Sequence, residues 1–176
     1  MTLLFIDSFD HYIFNSMDDK WTAIDRSPVS SIGSLLGRHG TGGAYFEPAA
    51  GDPRFSRNLG AAYQTLFVGF AMKIRQYGQQ SREAFFHLLN DTVEKISYAL
   101  NSDGTLDVWR GPEQTGTKLG NTFRSLYQGQ WYYMEFQTTI DSPTGSIEIR
   151  INGATEFAFS GNTLNGTSTS ANIVAF

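Results

Sequence analysis

The segment from Trp131 to Asn152 constrains the fold more than any other part of the chain. In residues 131–140, the apolar side chains that share one side of an extended chain are Tyr132, Met134, Phe136 and Ile140. In residues 146–152, Ile147, Ile149 and Ile151 alternate with Glu148, Arg150 and Asn152. A period of two places alternate side chains on one face of a strand. Because Asp-Ser-Pro-Thr-Gly separates the two runs, we predict an antiparallel hairpin with one buried face.

Similar runs recur along the chain between turn residues. We interpret as strands the ranges 3–9, 44–47, 54–59, 65–75, 84–90, 95–100, 105–109 and 171–176. In the longest of them, Gly69 and Ala71 lie opposite the apolar face, and their small size predicts a close approach of another group. All five prolines fall between the runs, as expected if the runs pair within sheets.

Residues 81–100 fit two patterns. The positions that also satisfy helical spacing are Phe85, Leu88, Leu89, Thr92 and Ile96, and Ser81 could cap such a helix. We favour two strands turned at Asn90 and Asp91, because the second run alternates well and Asn-Ser-Asp-Gly at 101–104 is typical of a hairpin turn. A helix over this segment is the alternative.

Many short strands without a convincing helix indicate a β-sandwich or a barrel. The 18 glycines and 14% aromatic residues suit strands joined by tight turns. A length of 176 residues predicts a single domain that can bury a sizeable core.

The hairpin and two earlier runs resemble a known family. Trp-Tyr-Tyr-Met-Glu at 131–135, followed by Gly-Ser-Ile-Glu-Ile-Arg-Ile-Asn-Gly at 145–153, is similar to the late strands of concanavalin A-like (laminin-G-like) domains. Residues 3–12 and 65–75 resemble such domains in virion proteins of tailed bacteriophages. The resemblance implies an all-β, two-sheet antiparallel jelly-roll sandwich of the lectin/glucanase type. It also implies a closing strand, so we expect the domain at 1–176 to lack that strand or to continue beyond residue 176.

Charge and composition argue against several classes of partner. The net charge of −4, without a cluster of basic residues, argues against nucleic acid. The absence of cysteine excludes disulfides and thiolate metal sites. No run reaches the ~18 apolar residues of a membrane-spanning helix, so we expect no membrane insertion. The first residues lack the basic region of a signal peptide.

Catalytic residues are not predicted. In the laminarinase-like branch of the family that the chain resembles, the catalytic carboxylates lie in a Glu-x-Asp-x-Glu string on one strand, and this string is absent here. Glu135 and Glu148 point to the same exposed side of neighbouring strands, but Arg150 beside Glu148 should lower its pKa rather than raise it for acid catalysis. We therefore interpret both as solvated carboxylates and the protein as no enzyme.

Cofactors are not predicted either. Some laminin-G-like domains bind calcium, and the acidic side chains that could supply oxygens are Asp7, Asp10, Asp18 and Asp19. They lack the regular spacing of a calcium loop, so solvated acids are the preferred interpretation and calcium is the alternative. The histidines at 11, 39 and 87 have no paired spacing, and His87 lies within an alternating strand.

The best candidates for binding are the aromatic residues near turns or on the less apolar face of a strand, which are Tyr77, Trp109, Tyr127, Trp131 and Tyr133. A planar ring stacks on the apolar face of a sugar while neighbouring polar groups bond to its hydroxyls. We predict a glycan site with Trp109, Asp107 and Arg110 at its centre, joined by Tyr127 and Tyr77. The alternative is that these rings fill the core or pack between subunits.

The sequence-based hypothesis is a non-enzymatic structural protein of a phage virion, made in the host cytoplasm. As a capsid decoration protein or a fibre or tail accessory, it would contact other virion proteins, sister subunits and host surface glycans. A carbohydrate-binding module is the second hypothesis, and a glycoside hydrolase is the third.

Overall fold

The computed structural model describes residues 21–24, 31–33, 37–38, 43–45, 55–75 and 82–176. All the regular elements in these ranges are β-strands, and no helix in them is long and apolar enough to span a membrane. The chain divides into two compact units, residues 1–60 with 174–176 and residues 61–173. The predicted strand 3–9 and the four aspartates considered as alternative calcium ligands lie outside the described residues.

The strands are numbered in chain order. They are β1 (Ala23–Ile24), β2 (Ser31–Gly33), β3 (Gly43–Tyr45), β4 (Phe55–Tyr63), β5 (Thr65–Lys73), β6 (Arg82–Asn90), β7 (Val93–Asn101), β8 (Leu106–Arg110), β9 (Thr117–Asn121), β10 (Trp131–Thr139), β11 (Gly145–Ile151), β12 (Ala154–Gly161) and β13 (Ala171–Ala175).

The first unit contains two antiparallel pairs, β1 with β4 and β2 with β3. Phe55 and Phe176 exchange two backbone hydrogen bonds of 2.8 Å. The buried ring of Trp21 lies 6.0 Å from that of Phe55 and 6.1 Å from that of Phe176. The end of the predicted last strand is therefore paired and packed in this unit.

The second unit contains two sheets. One has the strand order β13-β6-β7-β8-β9 and the other β12-β11-β10-β5. Strand β10 pairs antiparallel with β11 and with β5, so that Phe136 lies opposite Ile149 on one side and Val68 on the other. The predicted hairpin is confirmed, and its isoleucines are buried.

The core of this unit lies between the inner faces of its two sheets and is aromatic. Phe86 and Tyr98 of one sheet are stacked 5.2 Å apart, and Phe136 of the other lies 5.0 and 4.7 Å from them. The Tyr98 hydroxyl shares a 2.6 Å hydrogen bond with that of Thr138. Aromatic rings supply much of the buried apolar area that stabilises a sandwich of this size.

The interpretation of residues 81–100 as two strands is confirmed, and the helix alternative is wrong. Strands β6 and β7 form an antiparallel hairpin whose turn holds Asp91 at a φ of 52°. Both strands exceed the predicted ranges by a few residues at their ends. A tight turn needs a residue that tolerates positive φ, and aspartate does so better than most.

Strands β9 and β12 were not predicted. Thr-Lys-Leu-Gly-Asn in β9 contains one large apolar residue, so no alternation is visible. In β12, the register shifts opposite Ile149 and Arg150, and the adjacent residues Glu156 and Phe157 are both buried. A bulge of this kind interrupts the period of two from which a strand is recognised.

Candidate functional site

Strand β8 carries the centre of the predicted glycan site. Leu106 and Val108 are buried toward the aromatic core, so Asp107 and Trp109 lie on the opposite face of the strand. The same alternation places Arg110 on the face of Leu106 and Val108. Its guanidinium donates to Thr117 Oγ1 at 3.0 Å and to the Asn162 carbonyl at 3.4 Å. The structure therefore keeps Asp107 and Trp109 together and directs Arg110 elsewhere.

The other two predicted residues are Tyr127 and Tyr77. Tyr127 lies in the segment between β9 and β10 with its side chain 62% exposed. Its backbone N–H donates to the Tyr132 hydroxyl at 2.9 Å. Tyr77 lies outside the described residues.

Cross-strand pairing surrounds Asp107 and Trp109 with polar residues from three further strands. One row crosses the sheet through His87, Ser97, Trp109 and Lys118, and the next through Ala84, Ala99, Asp107 and Asn121. Arg82 and Asn101 follow in a third row. We call this surface of β6–β9 the polar face. The sequence did not reveal it, because β9 was not recognised and bulges shift the register of β6 and β8.

Asp107 is the electrostatic centre of the polar face. Its side chain is almost fully buried, and one carboxylate oxygen accepts from Lys118 Nζ at 2.8 Å and from Asn101 Nδ2 at 2.7 Å. The other oxygen lies 4.0 Å from Arg82 Nη1. Arg82 also donates from Nε to Glu113 Oε1 at 2.7 Å. A buried carboxylate needs such partners to remain charged.

The ring of Trp109 lies against Arg82, a member of this network. The Arg82 guanidinium lies over its ring at 4.5 Å from the centroid. Arg82 belongs to β6 and Trp109 to β8, so the contact crosses β7, where Ser97 and Ala99 leave room above the backbone. The indole nitrogen of Trp109 is buried and has no hydrogen-bond acceptor in the described part of the chain. A buried N–H without an acceptor is costly and points to a missing partner.

A second polar pair lies at the end of the face nearest the β6–β7 turn. His87 Nδ1 lies 2.6 Å from Glu94 Oε1, and both side chains are largely buried. The contact orients the imidazole ring, since a carboxylate fixes whichever nitrogen faces it. Next to His87, the Ser97 hydroxyl donates to the Gly111 carbonyl at 2.7 Å.

The buried ammonium group of Lys95 on β7 holds the loop after β12 in place. Lys95 is 1% exposed, and its ammonium donates to the Asn165 carbonyl at 2.6 Å. The Asn165 amide donates in turn to the Glu94 carbonyl at 2.7 Å. Burial lowers the pKa of Lys95. These bonds hold the segment after β12 against β7.

The two carboxylates considered for glycoside hydrolysis lie on the outer face of the other sheet. Glu148 accepts from Thr155 Oγ1 at 2.7 Å and from Arg150 Nε at 2.8 Å. The Thr155 hydroxyl, followed by Arg150, holds the pKa of Glu148 below its usual value. The predicted direction is confirmed, and it is opposite to what a general acid requires. Within the described ranges, no group of three His, Asp or Glu side chains is arranged to hold a metal ion.

The sequence matches no protein-family model, and a search of curated proteins also gives no match. Solved structures do match. An endo-β-1,4-glucuronan lyase from the fungus Trichoderma reesei has a TM-score of 0.66 at 14% identity, over 88% of this chain and 77% of that chain. The alginate lyase Aly36B has a TM-score of 0.59 at 13% identity, over 96% of this chain and 83% of that chain.

A variant of the same alginate lyase, in complex with alginate tetrasaccharide, matches with a TM-score of 0.53 at 13% identity, over 96% of this chain and 92% of that chain. At these identities the likeness concerns the fold. It confirms the predicted all-β sandwich of jelly-roll type. The virion context is not addressed by these comparisons and stays a prediction.

Proposed function

We propose that this chain is a carbohydrate-binding domain whose ligand lies on the polar face of β6–β9. A sugar presents hydroxyl groups at its edges and C–H groups on its ring faces. The polar face offers a carboxylate, two cations and side-chain amides around a tryptophan, which are the group types that such a ligand needs.

The buried N–H of Trp109 is the observation that carries the proposal. It has no acceptor among the residues described, although Asp107 lies on the same face. The carboxylate is already occupied by Lys118 and Asn101 and does not turn to the indole. A sugar hydroxyl that displaced the Arg82 guanidinium would supply the acceptor and gain the ring surface for stacking.

The fold likeness supports the choice of probes. Two of the matched structures are lyases named for glucuronan and alginate, which are acidic polysaccharides. Arg82 and Lys118 would attract a carboxylate-bearing chain more strongly than a neutral one. The first ligands to test are therefore soluble glucuronan and alginate oligosaccharides, with a neutral β-glucan for comparison.

The decisive experiment compares two substitutions at Trp109 by titration calorimetry. Trp109→Ala removes both stacking and donor, and we expect affinity to fall at least about tenfold. Trp109→Phe keeps an aromatic ring but removes the N–H. It should weaken binding less, and it costs the free protein no hydrogen bond, because the lost donor had no acceptor.

Phe123→Ala is the matched control, since Phe123 is 90% exposed outside the polar face. It should bind like the original protein. Failure of the original protein to bind any of the three ligand types, or equal affinities for Trp109→Ala and the control, would contradict the proposal.

The domain is proposed to bind without turnover. Prolonged incubation with glucuronan, alginate and β-glucan should leave the chain length of each polymer unchanged. Shorter products that disappear in His87→Ala would contradict this part of the proposal, since His87 is held by Glu94 beside the site.

A role on a virion remains compatible with glycan binding and would appear as a fixed copy number in purified particles.

A further inference from the structure

We infer a second, separate carbohydrate-binding surface on the outer face of the opposite sheet. It consists of Phe67 on β5 with Tyr133 and Trp131 on β10, which we call the aromatic strip. Trp131 pairs with Lys73, Tyr133 with Ala71 and Phe67 with Gln137, so all three rings project from the face opposite the aromatic core. The ligand class that fits this strip is a neutral polysaccharide chain.

Gly69 determines the orientation of the central ring. The Tyr133 hydroxyl lies 2.8 Å from the position that a Cβ atom on Gly69 would occupy. Because the direct partner of Tyr133 is Ala71, two residues farther along β5, the ring extends along the strand instead of standing away from it. The predicted close approach is thereby confirmed at Gly69, and it leaves one side of the ring facing solvent.

The strip is exposed where core aromatics would be buried. Phe67 is 54% and Tyr133 is 44% exposed. A single exposed apolar side chain is ordinary, whereas three rings on one face of two paired strands offer a stacking surface for successive sugar rings. Glu135 and Gln137 lie beside the rings on the same face and can bond to hydroxyls.

Charge on this face is balanced. The charged side chains on the outer face of β5, β10 and β11, three strands described in full, are Lys73, Glu135, Glu148 and Arg150. Glu148 and Arg150 form an ion pair of 2.8 Å, and Lys73 lies 5.9 Å from the centre of the Trp131 ring. Two positive and two negative groups attract neither an anionic nor a cationic ligand, which favours a neutral one.

The dimensions favour a chain over a single sugar or a second copy of the protein. From Phe67 to Lys73 the strand extends roughly 20 Å, and two strands are roughly 10 Å wide. The resulting area of about 200 Å² is well below the ~800 Å² per partner of a stable protein interface. A polysaccharide needs less area, because each sugar ring stacks on one aromatic ring.

Co-sedimentation with insoluble cellulose, curdlan and chitin tests the strip. We expect retention on at least one of them and at least tenfold weaker retention for Tyr133→Ala. Tyr133→Phe, which keeps the ring, should be retained. Gly69→Val keeps every aromatic residue but lifts the Tyr133 ring from the sheet, so it should also lose retention.

Phe123→Ala, which removes a 90% exposed ring outside both the polar face and the aromatic strip, is the matched control and should be retained normally. Absence of retention for the original protein on all three polymers would overturn the inference, whatever the polar face binds. Retention unaffected by Tyr133→Ala would do the same. A dimer in analytical ultracentrifugation that Tyr133→Ala dissociates would assign the strip to an interface between copies instead.

Discussion

The two sheets of the second unit each place a tryptophan next to a cation, and they do so in different ways. Arg82 lies 4.5 Å from the centre of the Trp109 ring across an intervening strand, and it is tied to Glu113 and Asp107. Lys73 lies 5.9 Å from Trp131 as its direct cross-strand partner on an exposed surface. The contact of Trp109 belongs to an enclosed polar network, whereas the contact of Trp131 lies on an open face among other aromatic rings.

The difference lies in the residues between the partners. Ser97 and Ala99 on β7 are both fully buried beneath the polar face. Gly69 and Ala71 on β5 are exposed beneath the aromatic strip. Small residues make room in both sheets. On the polar face this room is filled by the charged side chain of Arg82, and on the aromatic strip it is filled by the edge of the Tyr133 ring. A hydrogen-bonding ligand suits the former, and a stacking ligand suits the latter.

The largest difference should appear when a carboxylate is removed from each face. Asp107→Ala leaves Lys118 and Arg82 without their buried partner, so we expect it to lower the free energy of unfolding by about 3 kcal/mol. This is the lower end of the usual range, because Lys118 is half-exposed and can be hydrated. Glu148→Ala should leave the urea midpoint nearly unchanged. Equal losses in urea denaturation would show that the two networks do not differ in burial.

The next test fills the small positions. Ala99→Leu adds atoms beneath Arg82 at a site with no free surface, and we expect a loss of about 2 kcal/mol from overpacking. Ala71→Leu at an exposed site should change stability by less than about 0.5 kcal/mol. Thermal unfolding of both variants measures this. If Ala99→Leu were tolerated, Arg82 would not depend on the gap over β7.

A smaller effect is expected in the core that the two sheets share. Tyr98→Phe removes the hydrogen bond to Thr138, which should cost about 1 kcal/mol in chemical denaturation at pH 7. Burial raises the pKa of Tyr98 well above its usual value near 10. At alkaline pH the unfolded chain therefore loses the phenolic proton first, and stability falls as the pH rises. Tyr98→Phe should show a weaker decline above pH 10, and an identical decline would exclude Tyr98 as its cause.

The smallest effects concern two glutamates whose pKa values move in opposite directions. Burial raises the pKa of Glu83, so the folded protein holds its proton after the unfolded chain has released it, and stability falls as pH rises through that window above 4.5. The pKa of Glu148 is lowered, so stability falls as pH drops below 4.5. Glu83→Gln should therefore be slightly stabilising at pH 7, and Glu148→Gln slightly destabilising. Denaturation of both variants from pH 3 to 8 measures this. A destabilising Glu83→Gln or a stabilising Glu148→Gln at pH 7 would contradict the prediction.

Sequence periodicity predicted the hairpin of β10 and β11, because Ile147, Ile149 and Ile151 alternate without interruption. It missed β9 and β12, where a single apolar residue or a bulge hides the alternation. Prediction of the candidate site was limited in the same way. Asp107 and Trp109 were found from one strand, whereas Arg82 and Lys118 reach them only through pairing that bulges shift. Side chains that meet across strands depend on register, which a single sequence does not contain.

The hydroxyl pair of Tyr98 and Thr138 has a consequence for how the sandwich finds one arrangement. Contacts among Phe86, Phe136 and their neighbours depend less sharply on the offset between the two layers than a hydrogen bond does, since apolar attraction has little directional preference. The 2.6 Å bond between the two hydroxyls is satisfied at a single offset. A slipped alternative would leave both hydroxyls without a partner in a dry interior, so this contact favours the alignment that apolar contacts specify less sharply.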